Sequence, residues 1–271
     1  MYSKNNPFVT PLYEGTFSVG LDKKFFPIEK DAPPAKGALK LSINPFLIKT
    51  GERNILFDAG LGDLGENTST ALIKKNLSAY DLTELDITDI FISHLHYDHI
   101  GGLAGWSSGY LELTFPAARL WVSGNGWNNL LGKEGSTDQE TRLDLVHFLN
   151  AKADLHFLGE EDQPVPGIRV KEMGGHTEFS LALFYEAGDS RYMMAGDVIG
   201  RKSAVRQKFT AKFDFDPEKS MKLRESLKKT AFEKGYVIMA YHESDTPLFR
   251  IGHHDQKHGY LTENAAERYP S

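Results

Sequence analysis

The stretch ITDIFISHLHYDHIGG, residues 87–102, places several polar side chains directly after a short apolar run. Residues 87–93 are apolar and β-branched, which is typical of a buried strand. A chain that leaves a sheet edge projects alternate side chains to one side, so the two histidines of the His-x-His part can converge. Imidazole and carboxylate groups suit zinc and similar cations. The alternative is a hydrogen-bonded polar turn, but four such side chains in six residues favour a metal site. The four side chains are His94, His96, Asp98 and His99.

Three further candidate metal ligands each follow an apolar run. They matter because the four side chains of the motif are too few to hold two metal ions. His176 follows residues 168–173, Asp197 follows 192–194, and His242 follows 237–241. Polar side chains at strand ends are typical of the edge at which a sheet binds its ligand. Taken singly, Asp197 could form a turn and His242 could be a hydrogen-bonded edge histidine.

The order of these residues resembles that of the metallo-β-lactamase superfamily. The pattern is His-x-His-x-Asp-His, then a histidine and an aspartate each preceded by glycine, then a late histidine. The resemblance runs from the strands before the sequence FDAG, residues 57–60, to His242. It implies an α/β (α+β) fold, the four-layer αβ/βα sandwich of this superfamily, with metal ions in a cleft at the shared edge of two sheets. We expect one domain over residues 1–271.

The same resemblance implies roles for individual residues. The first metal ion would be held by His94, His96 and His176. The second would be held by Asp98, His99 and His242, with Asp197 bridging both. Asp58 matches the superfamily's aspartate that orients a ligating histidine through its other ring nitrogen. A capping aspartate at a turn is the alternative for Asp58.

Histidine at position 96, where the superfamily's diiron flavoproteins tend to carry an acid, indicates a hydrolase. The sequence FDFDP (213–217), a following helix and a final strand into His242 resemble the quorum-quenching lactonases and methyl-parathion-hydrolase-like enzymes. Two departures weaken an assignment to acyl-homoserine lactones. Position 200 is glycine where some lactonases have tyrosine, and His176 is followed by TEFS (177–180) instead of the Pro-Gly seen in many relatives.

The expected chemistry is hydrolysis by a hydroxide shared between two divalent metal ions. Such a pair lowers the pKa of water to near 7 and polarises the electrophilic oxygen. Asp98 is the candidate to carry the proton to the leaving oxygen. We expect zinc, with manganese, cobalt or iron as alternatives, and a small lactone or a related ester or phosphotriester as substrate. The alternatives are a thioesterase of the hydroxyacylglutathione hydrolase type and a structural metal-binding protein that is not an enzyme.

Aromatic residues outside the ligand set are candidates for the substrate pocket. Phe25 and Phe26 precede a Pro-rich loop, and Trp106 follows the glycines of the metal motif. Each has the alternative of packing in the core, where aromatic residues of a domain this size usually lie. Phe25 and Phe26 are favoured because a segment between Gly20 and Pro27 is poorly suited to the core.

Composition excludes several classes of protein. The chain has 271 residues, a formal charge of −6, 40 % hydrophobic residues and no cysteine. Its mild acidity argues against nucleic-acid binding, and it lacks the run of about 18 apolar residues that a membrane helix needs. Without cysteine there is no disulfide or thiolate zinc site. We therefore expect a cytoplasmic protein that acts on a small molecule, and relatives suggest a homodimer.

Hydrophobic patterning predicts mixed sheets covered by helices. Helices are predicted at 68–80, at 138–151 and from Asp216, whose side chain before Pro217 is typical of a helix start. Strands are predicted at 39–49, 54–57, 87–93, 120–123, 168–172, 179–186, 191–195 and 236–241.

Overall fold

The structure is a computed structural model that describes residues 8–65, 68–132, 142–206, 213–255 and 259–265. The strands in this part of the chain are β1 (Phe8–Pro11), β2 (Gly15–Val19), β3 (Phe25–Ile28), β4 (Leu39–Ile43), β5 (Phe46–Lys49), β6 (Asn54–Phe57), β7 (Asp89–Phe91), β8 (Ala104–Ser107), β9 (Tyr110–Leu113), β10 (Arg119–Ser123), β11 (Asp154–Leu158), β12 (Glu161–Val165), β13 (Ile168–Glu172), β14 (Leu181–Ala187), β15 (Ser190–Met194), β16 (Val237–Met239), β17 (Leu248–Asp255) and β18 (Gly259–Asn264). The α-helices are α1 (Thr70–Ser78), α2 (Tyr97–Ile100), α3 (Gly124–Leu131), α4 (Leu143–Lys152), α5 (Lys202–Arg206) and α6 (Pro217–Lys234).

Two large sheets form the centre of the molecule. The first has the order β1-β5-β6-β7-β10-β11, and the second has the order β12-β13-β14-β15-β16-β17-β18. Strands β6, β7, β10 and β11 run parallel to one another, whereas most pairs of the second sheet are antiparallel. Two smaller sheets, β3-β2-β4 and β8-β9, flank them.

The two large sheets pack face to face, and helices cover their outer faces. Strand β7 shows this alternation: Phe91 points into the core between the sheets, whereas Ile90 packs outward beneath helices α1, α3 and α4. On the other side, Leu227 of α6 and Val205 of α5 pack against the outer face of the second sheet. Burial of both sheet faces explains why the parallel strands are nearly continuous apolar runs. The predicted four-layer sandwich is confirmed.

The predicted strand over residues 39–49 is wrong, because the chain is split there into β4 and β5. Asn44 and Pro45 lie between them, and the Asn44 side chain donates hydrogen bonds to the carbonyl oxygens of Tyr241 and Glu243 at 2.7 and 2.9 Å. Strand β4 then pairs with β2 in a small sheet, while β5 joins the first large sheet. The break therefore carries the chain from one sheet to another beside the segment that follows β16 and contains His242.

The helix predictions agree with the structure where it describes the chain. Helix α6 begins after Asp216, whose carboxylate accepts a hydrogen bond from the Lys219 amide at 2.9 Å. It ends at Gly235, which adopts the left-handed conformation that favours glycine. Helix α4 corresponds to the end of the helix predicted over 138–151, and residues 138–141 lie outside the described residues. No described helix is long and apolar enough to cross a membrane.

Candidate metal centre

Four strand ends deliver the candidate ligands. The motif that begins at His94 follows β7, and His176 follows β13. Asp197 follows β15 in a short 3-10 turn, and His242 follows β16. The structure thus brings all seven predicted ligands into one cluster, although they span about 150 residues of sequence (94 to 242).

The glycines after the motif allow close packing against the loop that follows β6. A Cβ atom at Gly102 would lie 1.9 Å from the carbonyl oxygen of Ala59, which no real side chain tolerates. The two segments are joined by hydrogen bonds from the Ala59 amide to the His99 carbonyl and from the Gly102 amide to the Gly60 carbonyl, at 2.8 and 3.0 Å. This contact sets Asp58, at the start of the loop, against His99.

Three histidines form one end of the cluster. The Nδ1 atom of His96 lies 3.1 Å from Nε2 of His94 and 3.2 Å from Nε2 of His176. One nitrogen of each ring therefore points to a common position, as three ligands of one cation would. Among the described residues, three groups of His and Asp side chains have donor atoms that all lie within 4.8 Å of one another: His94–His96–His176, His94–His99–Asp197 and Asp98–His99–His242.

Asp197 joins this end to the other one. Its Oδ2 lies 3.4 Å from Nε2 of His176, whereas its Oδ1 lies 3.1 Å from Nε2 of His242 and 3.4 Å from Nε2 of His99. Asp98 completes the second end, since its Oδ2 lies 3.6 and 3.5 Å from the same nitrogens of His99 and His242. The two oxygens of one carboxylate thus face two adjacent sets of donors.

The outer ring nitrogens are held by second partners, which fixes the orientation of each imidazole. His99 Nδ1 lies 2.6 Å from Oδ2 of Asp58, and His176 Nδ1 lies 2.8 Å from Oδ1 of Asp214. His242 Nδ1 lies 3.0 Å from the carbonyl oxygen of Ser42. Since these partners accept hydrogen bonds, the proton of each ring lies on Nδ1 and the lone pair of Nε2 faces inward.

Asp58 organises the base of the cluster. It adopts φ 58°, a left-handed conformation that aspartate tolerates better than most residues. Its carboxylate accepts hydrogen bonds from the Ser93 amide at 2.6 Å and from the Ser93 hydroxyl at 2.7 Å. Because that hydroxyl proton is used, Ser93 Oγ accepts from Nδ1 of His94, 3.1 Å away. Asp58 thereby contacts His99 directly and His94 through Ser93, which is the arrangement that an orienting role would require.

The inner atoms fit divalent cations. His99 Nε2, His242 Nε2 and Asp197 Oδ1 are fully buried and make no hydrogen bond, although Asp197 Oδ1 and His242 Nε2 are 3.1 Å apart. Buried polar atoms are nearly always satisfied in folded proteins. A set of unsatisfied lone pairs converging from imidazoles and carboxylates has the donor chemistry of a zinc-type centre.

Charge within the cluster shifts the protonation equilibria. Burial, and then the neighbouring histidines, hold the pKa of His94 well below its usual range. Burial alone would raise the pKa of Asp197, but His242 and His176 outweigh it and hold that pKa well below its usual range. Burial would lower the pKa of His99, whereas Asp98 and Asp58 raise it well above its usual value. Neutral His94 and ionised Asp197 are the forms that ligate a cation, and a cation bound at His99 Nε2 would displace the proton that the raised pKa of His99 implies.

A cleft of about 280 Å³ opens onto the second end of the cluster. Phe25, Leu21 and Leu39 are among its apolar walls, as predicted for Phe25. The prediction is wrong for Phe26, whose side chain lies on the other face of β3 and is 43 % exposed, and for Trp106, which lies in the β8–β9 hairpin and is 64 % exposed. Alternation along β3 decides which of two adjacent phenylalanines faces the cleft.

Three contributors were not predicted from the sequence. Asp214 lies in the FDFDP stretch, two residues before the residue that caps α6, and its contact with His176 appears only once that helix is placed. The Ser42 carbonyl carries no side-chain signal. Tyr241 donates a hydrogen bond to the Asp98 carbonyl at 2.6 Å, and its ring stacks on His99 with centroids 4.1 Å apart.

A family model described as the metallo-β-lactamase superfamily matches residues 39–242, three-quarters of the chain and all seven candidate ligands. The chain belongs to the metallo-β-lactamase superfamily. Members of this superfamily usually bind divalent metal ions, and the described residues of this chain include His/Asp groups that could hold them. The expected resemblance is confirmed.

Solved structures share the fold over nearly the whole chain. A probable metal-dependent hydrolase from Staphylococcus aureus is 20 % identical, covers 97 % of this chain and 99 % of its own, and gives a TM-score of 0.76. The hydrolase AbOPH is 21 % identical, with coverages of 98 % and 96 % and a TM-score of 0.78. AidC, a dizinc quorum-quenching lactonase, is 20 % identical, with coverages of 97 % and 96 % and a TM-score of 0.78.

A curated protein also matches part of the sequence. The hydroxyacylglutathione hydrolase of Haemophilus ducreyi is 26 % identical over 116 residues, or 43 % of this chain. The matched stretch spans 37 % of the length of that protein.

Proposed function

We propose that this member of the superfamily is a dinuclear metal-dependent hydrolase of small esters, with lactones as its preferred substrates. The observation that carries the proposal is the placement of Asp197, whose two carboxylate oxygens face different groups of imidazoles. A closed structural zinc site uses four protein ligands around one ion. Seven donors arranged around a shared carboxylate instead favour two adjacent ions with positions left open for a substrate.

The seven candidate ligands of the cluster would hold the ions. His94, His96 and His176 would hold one ion, and Asp98, His99 and His242 the other, with Asp197 shared. When bound, divalent cations lower the pKa of water and polarise the carbonyl oxygen of an ester. We propose zinc, because imidazole and carboxylate donors suit it.

The surrounding residues orient the donors and handle the proton. Asp58 and Asp214 fix the rings of His99 and His176, so the inner nitrogens need not reorganise during turnover. The Asp98 carboxylate lines the cleft and is positioned by the Tyr241 hydroxyl through its own carbonyl oxygen. We assign Asp98 to carry a proton to the leaving oxygen, because it is both a donor group of the cluster and accessible from the cleft.

The structural neighbours favour a lactone over other esters, and the cleft can hold a small neutral molecule. Leu21, Phe25 and Leu39 offer apolar contact to a small neutral molecule. AidC is described as a quorum-quenching lactonase in complex with a product, N-hexanoyl-L-homoserine.

The test is a substrate panel with matched variants. The purified chain, loaded with zinc, manganese or cobalt, is assayed on γ-butyrolactone, p-nitrophenyl acetate, a phosphotriester and a thioester. We expect lactone hydrolysis that His94→Ala and Asp197→Ala abolish. The control is His147→Ala, which changes an exposed histidine of α4. Full lactonase activity in His94→Ala, or no hydrolysis of any ester by the metal-loaded wild type, would contradict the proposal.

A thioesterase of the hydroxyacylglutathione hydrolase type is the second candidate. The partial match to the Haemophilus ducreyi enzyme supports it, since that match is to a protein of this activity. The same panel separates the two candidates. A kcat/KM for S-D-lactoylglutathione at least tenfold above that for γ-butyrolactone would favour the thioesterase.

A further inference from the structure

A second cavity lies beside the histidine end of the cluster. We call it the side pocket, and its volume is about 250 Å³. His94, His96 and His176 form one wall, and helix α3 together with the loop after His176 forms the opposite side. The apolar side chains that line it are Ile92, Leu95, Leu130, Phe179, Phe213 and Phe215.

The side pocket and the cleft meet at the candidate metal centre. His96, His176 and Phe213 line both cavities. A molecule whose reactive group lies at the cluster can therefore extend one part into the cleft and another into the side pocket. The volume is sufficient for such a part, because a cavity of about 150 Å³ is enough to bind benzene.

The two cavities differ in charge. The cleft is lined by several ionic side chains besides the candidate ligands, namely Lys23, Arg201, Asp214 and Arg224. Among the described residues that line the side pocket, Glu178 is the only ionic side chain outside the histidines, and it is exposed. An apolar group that enters a cavity removes water from the charged side chains there, and this costs free energy. The side pocket has fewer such side chains than the cleft, so it is the more favourable place for an apolar group.

Burial and hydrogen bonds hold the wall formed by α3 in place. Trp127 is fully buried, and its indole nitrogen donates a hydrogen bond to Asn150 at 3.0 Å. Ser123 caps the helix by accepting from the Gly126 amide at 3.0 Å and donates to Glu172 at 2.6 Å. Leu130 projects from this fixed helix into the side pocket while its other side packs on the core beneath the first sheet.

We propose that the side pocket binds an apolar arm of the substrate, an alkyl chain or an aryl ring, and that Leu130 limits its size. This inference rests on the proposed esterase or lactonase function and assigns the part of the substrate that selects among esters. Leu130 is a specificity residue in this account and takes no part in bond cleavage.

The experiment compares γ-butyrolactone with two lactones of the same ring that carry a pentyl chain, one on the α carbon and one on the γ carbon. Leu130→Trp fills the side pocket. It should lower kcat/KM for at least one pentyl lactone at least tenfold and change kcat/KM for γ-butyrolactone less than twofold. Leu85→Trp is the matched control, because Leu85 is 62 % exposed.

Two further measurements do not depend on the tryptophan variant being folded or active. Leu130→Ala enlarges the side pocket and should shift the preferred chain to a longer one in a propyl-to-heptyl series. Calorimetric titration of the metal-loaded wild type should show that the ring-opened pentyl product binds at least fivefold more tightly than 4-hydroxybutanoate. Leu130→Trp should remove that difference.

The outcomes separate this inference from the proposed function. If the wild type hydrolyses γ-butyrolactone but Leu130→Trp and Leu130→Ala leave the relative rates on both pentyl lactones unchanged, the arm lies elsewhere and the side-pocket proposal is wrong. If the metal-loaded wild type hydrolyses none of the lactones, the proposed function itself fails. Equal binding of the two products by the wild type would also overturn the side-pocket proposal.

Discussion

Replacing Glu14 by glutamine should remove a pH-dependent loss of stability. Glu14 is buried between the first strands and the loop after β6, where its Oε2 accepts a hydrogen bond from the Leu61 amide at 3.0 Å. Its Oε1 has no hydrogen-bond partner, and no cationic side chain among the described residues forms an ion pair with it. Glu14 also acts on the buried Tyr241. Burial, then the charges of Asp58 and Glu14, raise the pKa of Tyr241 well above its usual value, so the Tyr241 hydroxyl stays neutral.

Burial raises the pKa of Glu14 from 4.5 to about 8, and the Leu61 amide only partly opposes this. The folded state therefore binds more protons than the unfolded state between these two values. The contribution of Glu14 to the free energy of unfolding should be largest at or below about pH 4.5 and should fall as the pH rises toward 8. At about 1.4 kcal/mol per pKa unit, the whole effect is up to about 5 kcal/mol, of which about 3 kcal/mol develop between pH 5 and pH 8.

The assay is urea unfolding of the wild type and Glu14→Gln at pH 5, 6, 7 and 8, followed by tryptophan fluorescence. Glutamine has the shape of the protonated acid but does not ionise. We expect the two free energies of unfolding to be similar at pH 5 and the variant to be more stable by about 3 kcal/mol at pH 8. Glu112→Gln, at an exposed position, is the control. A difference that stays constant across this pH range would refute the reasoning.

Two further changes test the support of the metal centre. Asp214→Asn should weaken zinc affinity about 10- to 100-fold, because the carboxylate that orients His176 is lost. A competition titration with a chromogenic chelator measures the affinity. An unchanged affinity would show that Asp214 has no orienting role. Gly102→Ala should lower the melting temperature by at least about 10 °C, since its Cβ would collide with the Ala59 carbonyl oxygen. Gly132→Ala, whose Cβ would make ordinary contacts, is the control, and an equal effect of both substitutions would contradict the packing argument.

The candidate ligands could be recognised in the sequence because each of them belongs to a local pattern. His94 and Asp98 lie in one short motif, and the later ligands each follow an apolar run that ends at a sheet edge. The four-layer arrangement followed from a resemblance, since periodicity alone predicted only mixed sheets with helices outside. The split of residues 39–49 could not be predicted, because it depends on the Asn44 side chain reaching the strand that ends near His242, about 200 residues away.

The residues around the ligands were less predictable. Asp58 was assigned through the resemblance to the superfamily, but Asp214 and Ser42 act through contacts that exist only in the folded chain. Of two adjacent phenylalanines, only Phe25 faces the cleft, and sequence does not tell which face of a short edge strand is turned inward. The side pocket has no sequence signature, because its walls come from separate helices and loops.

The central claim is that two adjacent groups of donors hold two cations around Asp197. The most direct measurement is the metal content of the purified zinc-loaded chain by inductively coupled plasma mass spectrometry, for the wild type and Asp197→Ala. We expect close to two zinc ions per chain for the wild type and at most one for the variant. One ion or none in the wild type, or two ions retained in Asp197→Ala, would contradict the shared-carboxylate centre.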